Sequence, residues 1–538
     1  MLCFGPLIEP YLQRRLFRRH PESKMPFSAS RRLAALAFSL TANSAYAVGP
    51  ADIGEDPYFR DGQQTLAARA AIKPNTKKAK NVILFVGDGM DPTTVTAARI
   101  FDGQTRGEPG EENFLAFERF PHVAFSKTYN TNAQTPDSAG TMSAMVTGVK
   151  TKMGVISLTD SAEVGNCASA SGAIVSTLGE LSERAGLATG IVTTTRLTHA
   201  TPAAVYSHVP DRDWERDTNL TEEAKTNGCR DIARQLIEFS EGDGIDVALG
   251  GGRSNFLPAE AADPEDDGEK GGRRDQRNLA AEWAAKSAGH RYIWNREAFE
   301  AIDAAAALKL LGLFERSHME YEADRPSDAA GEPSLAEMTR KAIEILRQDK
   351  DGFFLMVEGG RIDHAHHGGN AARALRDTQA FAEAVAAADA LTNDADTLII
   401  VTADHGHTMS FAGYPKKGSD ILGLATATLE AGDFEDGYAR AGDGKTYTTL
   451  GYANGPGTVF AGQKKVGERH EPTAAEVKDL NYRQQATVPS GSETHGGQDV
   501  AIYAKGPHAY LIGGLVEQSY IFHVIDDALS LRKRAAKG

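Results

Sequence analysis

Long apolar runs are missing from this chain: no stretch approaches about 18 consecutive apolar residues, so nothing in it reads as a mature membrane span. Positive charge is in deficit. With 58 Lys and Arg against 73 Asp and Glu, the net charge of −15 argues against wrapping around nucleic acid. It should also repel anionic substrates at long range unless a site concentrates positive charge locally, which bound metal ions could do. There is no internal repeat, and no G-x-S-x-G elbow, which disfavours a serine–histidine–acid hydrolase. Cysteine is scarce, three among 538 residues, and Cys3 falls in what reads as a removable leader. Cys167 and Cys229 remain as an even pair, either bridged in an oxidising compartment or two buried thiols.

What is present is ordinary globular material, 41% hydrophobic and 24% charged. Arg31 and Arg32, the apolar run Leu33 to Leu40 and the small-x-small triplet Ala45-Tyr46-Ala47 predict an export signal over residues 1–47, cleaved before Val48. Met25 stands just ahead of that signal and is a candidate true start. Ser30-Arg31-Arg32 partly resembles a twin-arginine signal, although two arginines equally suit an ordinary positive leader. The mature protein is expected to be periplasmic or secreted, as one catalytic domain over 48–538.

Five short apolar runs, Asn81–Val86, Gly190–Thr193, Asp246–Leu249, Gly352–Val357 and Thr397–Val401, read as buried strands. Helical patterns such as Leu335 to Leu346 and Ala371 to Ala390 lie between them. The alternation predicts an α/β fold with a large doubly wound sheet, whose ligands bind beyond the carboxyl ends of the strands. Two regions interrupt it. Asp263 to Asp275 reads as a charged surface loop, and 414–481, Gly-rich and polar, as an insertion carried on the sheet.

Chemistry gathers at the predicted strand ends. The first run ends in Gly87-Asp88-Gly89, and the fifth in Ala403-Asp404-His405. The fourth leads through Glu358 to Asp363-His364-Ala365-His366-His367, where Asp363 and His367 share a face if the segment is helical. Each motif alone has an ordinary reading as a turn or cap. Three together point to metal binding, with mixed His and Asp ligands suiting zinc and all-oxygen ligands suiting magnesium. Ser138, in Thr135-Pro136-Asp137-Ser138-Ala139-Gly140-Thr141, is placed at or near a helix start, where an anion is favoured. Helix capping is the competing explanation there.

Asp137-Ser138-Ala139, Val86-Gly87-Asp88-Gly89-Met90, Glu358 through His367 and Ala403-Asp404-His405 resemble the alkaline phosphatase family from about Asn81 to Ala528. Thr193-Thr194-Thr195-Arg196, Gly250-Gly251-Gly252-Arg253 and Glu493-Thr494-His495 look closest to the branch containing the animal enzymes. The resemblance implies hydrolysis of phosphate monoesters through a phosphoserine at Ser138, with Arg212 binding phosphate. It assigns Asp363, His367 and His495 to one zinc, Asp88, Asp404 and His405 to a second, and Asp88, Thr201 and Glu358 to magnesium. His199 and His364 stand where another branch has aspartate and lysine, which bears on metal preference and phosphate affinity. His366 and His407 are expected to be structural or to support ligands. A calcium site of the animal branch maps to Phe314, Glu315, Glu332 and Glu265, with Asp263 as an alternative loop acid. The family pattern also supports a Cys167–Cys229 disulfide and a homodimer. The tail from Arg532 to Gly538 lacks the hydrophobic segment of a lipid anchor. A related phosphodiesterase or sulfatase is the second enzymatic reading, since one two-metal scaffold accepts different esters. A phosphate- or zinc-binding protein without turnover is the third.

Overall fold

The computed structural model describes residues 53–306, 308–428, 434–457 and 469–537. The expected export signal, Cys3 and Met25 lie outside the described residues, as does part of the expected insertion. Two compact units divide the chain, Met1–Ala67 and Ala68–Gly538. The second holds every strand of the sheet and every residue of the candidate site.

Its centre is a ten-stranded sheet. In chain order the strands are β1 (Asn81–Gly87), β2 (His122–Lys127), β3 (Ala188–Arg196), β4 (Val247–Gly251), β5 (His290–Ile293), β6 (Lys309–Leu313), β7 (Phe353–Gly359) and β8 (Thr397–Ala403), followed by β9 (Val500–Lys505) and β10 (Gly514–Glu517). They lie in the order β10-β2-β9-β8-β1-β7-β3-β4-β6-β5. β9 runs antiparallel to both neighbours, and the other pairings are parallel. All five predicted strands are present. β1 shows why continuous apolar runs are required: Val82, Leu84 and Val86 pack into one core, Ile83 and Phe85 into another on the opposite face. A sheet covered on both sides is the doubly wound arrangement expected.

The helices packed on this sheet include α1 (Pro92–Thr105), α2 (Ser138–Thr147), α3 (Leu178–Arg184), α4 (Leu335–Leu346), α5 (Arg361–His367), α6 (Ala371–Leu391) and α7 (Tyr520–Leu529). α2 is made of small and apolar residues, every one of them buried. Asp263 to Asp275 is largely a surface loop, as expected, with two buried exceptions. Asp263 and Arg273 are buried at the two ends of this loop, because each meets an opposite charge: Arg253 bonds Asp263, and Arg273 pairs with Asp231 and Asp275. A buried charge is tolerable when paired and hydrogen-bonded in this way. Leu450–Gly455, within the expected insertion, joins the flanking strands Met409–Phe411 and Ala486–Pro489 in a small three-stranded sheet.

Cys167 and Cys229 are joined in a disulfide with Cα atoms 6.0 Å apart across 62 residues. In the chain-entropy model, closing a loop of that length stabilises the fold by about 4 kcal/mol. Among the described residues, no helix is long and apolar enough to cross a membrane.

Candidate metal centre and nucleophile

The four adjacent strands β8, β1, β7 and β3 end nearly flush, with Gly87 opposite both Ala403 and Gly359. Asp88, Asp404, Glu358 and the threonines of β3 are therefore delivered to one edge, and α5 turns back over it. Asp363 and His367, four residues apart on α5, project from one face as expected.

The first cluster is defined by its tautomers. His367 Nδ1 donates to the Glu493 carbonyl at 2.5 Å, and His495 Nδ1 donates to the Pro136 carbonyl at 2.8 Å. A carbonyl only accepts, so in the neutral rings both Nε2 atoms carry lone pairs. Those atoms stand 3.1 Å apart, and each is 3.3 Å from Asp363 Oδ1. Three electron-rich atoms at that spacing repel one another unless a cation lies among them. Ligands at the zinc distance of about 2.0–2.1 Å, arranged tetrahedrally, are separated by about 3.3 Å. The residues fit that ion.

The second cluster follows the same logic. His405 Nδ1 faces the Gly406 carbonyl at 3.3 Å, while Nε2 is 3.3 Å from Asp88 Oδ1 and 3.4 Å from Asp404 Oδ2. Asp404 is oriented by backbone N–H groups of Gly89 and His405 at 3.0 and 2.9 Å. Asp88 is fully buried, and among the described residues neither of its carboxylate oxygens has a hydrogen-bond partner. Burial, then the neighbouring carboxylates Asp404, Asp363 and Glu358, raise its pKa well above the ordinary range. An orphaned buried carboxylate of this kind fits a cation ligand.

Asp88 also belongs to the third cluster, with His199 and Glu358. Thr193 and Thr195 donate to Glu358 Oε2, the latter at 3.0 Å, while Oε1 and the Thr201 hydroxyl have no hydrogen-bond partner among the described residues. Burial carries the Glu358 pKa up to about 7. Oxygen donors left over in this arrangement suit magnesium.

Ser138 opens α2, but it does not cap it. Asp137 is the cap, its Oδ1 accepting from Gly140 N–H at 3.1 Å, while Ser138 Oγ stands 3.3 Å from His405 Nε2. The capping explanation thus passes to the neighbouring residue. Asp137 Oδ2 accepts from Arg212 Nη1 at 3.1 Å, and Arg212 Nη2 donates to His199 Nε2 at 3.1 Å. The guanidinium is held beside the serine with donors to spare for a planar pair of oxygens.

His407 and Glu493 had no role assigned from the sequence beyond support. His407 Nδ1 is 2.6 Å from Glu493 Oε2, and Nε2 is 2.9 Å from Asp363 Oδ1. Burial opposes charging this ring, but the two carboxylates carry its pKa up to about 10. The expected ligand Asp363 is therefore oriented by an imidazolium. His366 bonds Thr94 and Tyr452 hydroxyls at 3.1 and 2.8 Å, away from the clusters. His364 accepts from Arg361 at 3.2 Å and lies against His199 and His318, with ring centroids 5.5 and 4.2 Å away. His318 has no local signal in the sequence; only the fold brings it here.

At the expected calcium site, burial followed by Glu265 and Asp328 lifts Glu315 to about 8, and burial followed by Glu315 lifts Glu332 to about 9. The carboxylates do converge. Arg253 already donates to Glu265 at 2.7 Å and to the Phe314 carbonyl at 2.9 Å. Asp263, the alternative loop acid, is engaged by the same guanidinium.

Clustered carboxylate and imidazole ligands at the carboxyl edge of a parallel sheet, beside a serine at a helix start, define a metal-dependent hydrolase of the α/β class. The family model for alkaline phosphatase matches residues 79–531. Tissue-nonspecific alkaline phosphatase from Homo sapiens is 44% identical over 480 residues, 88% of each chain. Alkaline phosphatase from Gadus morhua is 43% identical over 479 residues, 88% of this chain and 96% of its own. The crystal structure of Thermus thermophilus alkaline phosphatase superposes with a TM-score of 0.59 at 26% identity, covering 88% of this chain and 98% of that one. The chain belongs to the alkaline phosphatase family.

Proposed function

We propose that this chain hydrolyses phosphate monoesters in two transfers, first to Ser138 and then to water. The observation that carries the proposal is the position of Ser138 Oγ, 3.3 Å from His405 Nε2 and beside a guanidinium anchored by Asp137. Arg212 would grip two non-bridging oxygens and turn the phosphorus towards Ser138. The serine oxygen then bonds to phosphorus as the bond to the ester oxygen breaks, releasing the alcohol. Water next attacks the phosphoserine, and the serine oxygen leaves with inorganic phosphate as the other product.

Asp363, His367 and His495 would hold one zinc, Asp88, Asp404 and His405 a second, and Asp88, Thr201 and Glu358 a magnesium. When bound, these ions supply the positive charge that favours the deprotonated serine and water and neutralises the departing alkoxide. His199 Nδ1, buried without a partner, faces the magnesium group as a donor. Calcium at Glu265, Phe314, Glu315 and Glu332 would compete with Arg253 for two of its ligands.

The reading extends to a signal over 1–47, one catalytic domain over 48–538 with an insertion at 414–481, and a homodimer. The Cys167–Cys229 disulfide supports an oxidising, exported setting. Turnover of p-nitrophenyl phosphate, its diester and its sulfate tests the function. Preference for the monoester is expected; preference for either of the others assigns the chain to the related phosphodiesterase or sulfatase chemistry instead.

A further inference from the structure

A cavity of about 350 Å³ flanks α5 on the side away from Asp363 and His367. Arg361, Ala365 and Gly368 line it from the helix and the residue after it, since residues 361, 365 and 368 share one helical face while 363 and 367 share the other. Arg373 and Arg483 line it from beyond, so three guanidinium groups border one small space.

Their charges are not equivalent. Arg373 is neutralised by Asp324, which it contacts at 2.7 and 3.1 Å. Arg361 and Arg483 have no carboxylate in ion-pair contact among the described residues. Glu320 is the one other acid on the cavity wall, so the lining carries three positive charges against two negative. That is a local surplus on a chain of net charge −15. The Arg361 guanidinium is stacked 3.7 Å above the Tyr321 ring, and its Nε is buried without an acceptor. Its Nη1 donates to His364, the residue between the cavity and Asp363. Stacking and this hydrogen bond fix the orientation of a guanidinium whose remaining donors lack partners. Asn370 and Asn481 add amides to the wall.

We propose that this cavity receives a second anionic group carried by the alcohol half of the ester, so that the enzyme favours monoesters whose leaving group bears another phosphate. The proposal rests on the phosphomonoesterase reading above and deepens it. Arg361 at the cavity connects to the proposed phosphate-binding Arg212 through His364 and His199, whose ring centroids are 5.5 Å apart. Two anionic groups held at these guanidinium groups are on the order of 10 Å apart, as in an extended hexose bisphosphate. A charged wall that meets only the distal group affects binding more than chemistry, so the signature belongs in KM.

Phosphate release is measured from p-nitrophenyl phosphate, fructose 6-phosphate and fructose 1,6-bisphosphate, using the metal-loaded enzyme and its Arg483→Ala and Arg483→Lys variants. The expected result is a wild-type KM lower for the bisphosphate than for fructose 6-phosphate. Arg483→Ala should raise the bisphosphate KM by roughly fivefold to tenfold, the loss of one charge-assisted contact. Arg483→Lys should recover part of that loss, and kcat/KM for the two other esters should stay unchanged. Equal effects on all three esters, no effect on the bisphosphate, or a wild type that does not prefer it overturns the proposal while the phosphatase reading stands. Wild-type enzyme that releases phosphate from none of the three brings both down.

Discussion

Ser138 and Asp137 are adjacent, yet their side chains act in different systems. Asp137 caps α2 and anchors Arg212, while the Ser138 hydroxyl points to His405. Ser138→Ala should therefore abolish the acid-stable phosphopeptide formed with radiolabelled phosphate while both zinc clusters stay filled by elemental analysis. Its stability cost should fall below the roughly 0.5–2 kcal/mol of a lost cap. A phosphopeptide that persists in the variant, or label mapped to another residue in wild type, rules out Ser138 as the nucleophile. Asp137→Ala should show the complementary pattern. Urea melts should record a loss within that cap range, and inhibition by inorganic phosphate should weaken because Arg212 has lost its carboxylate anchor. Unchanged inhibition would mean that Asp137 has no part in phosphate binding.

Among secondary elements, α3 carries a buried carboxyl group that the proposed chemistry does not use. Glu183 is buried at its C-terminal turn, accepts from Thr189 Oγ1 at 2.5 Å, and faces Asp246, Asp243 and Lys309. Burial pushes its pKa from 4.5 up to about 8. Below pH 4.5 the carboxyl is protonated in both folded and unfolded chains. As pH rises from there to about 8 the unfolded chain ionises first, so stability is lost across that window and stays low above it. Glu183→Gln removes this dependence. At pH 9 the variant should be more stable by on the order of a few kcal/mol, and at pH 4 the difference should vanish. Thermal melts at both pH values check this; equal gains at both would point to packing instead.

The same scale explains what could be read in the sequence. β1, β7 and β8 are covered on both faces and so spell themselves as continuous apolar runs. β2 alternates between buried and exposed, and β5 is four residues at the far edge, so neither stands out. Asp88, Asp404 and His405 were legible because they directly follow such runs, and Asp363 because helical spacing sets it on one face with His367. His407 and Glu493 were not, since their pairing spans 86 residues and leaves no periodic trace. The charged loop reads correctly as surface except at Asp263 and Arg273, whose burial depends on partners supplied from elsewhere in the fold.

Across the whole molecule, the candidate metal clusters concentrate buried carboxylates, and among the described residues Asp88, Asp404 and Glu358 have no Lys or Arg in ion-pair contact. Chelation should abolish activity and lower the melting temperature, and zinc with magnesium should restore both. Full activity in thoroughly metal-free protein would show that the clusters serve another purpose. One contact within them reaches further. His495 Nδ1 is tied to the Pro136 carbonyl, two residues ahead of Ser138. The proposed zinc ligand His495, near the end of the chain, and the proposed nucleophile Ser138, in its first third, are thus gauged against each other by one short length of backbone. A one-residue insertion between Pro136 and Ser138 would detune the spacing of ion and nucleophile together, even with every side chain of the site intact.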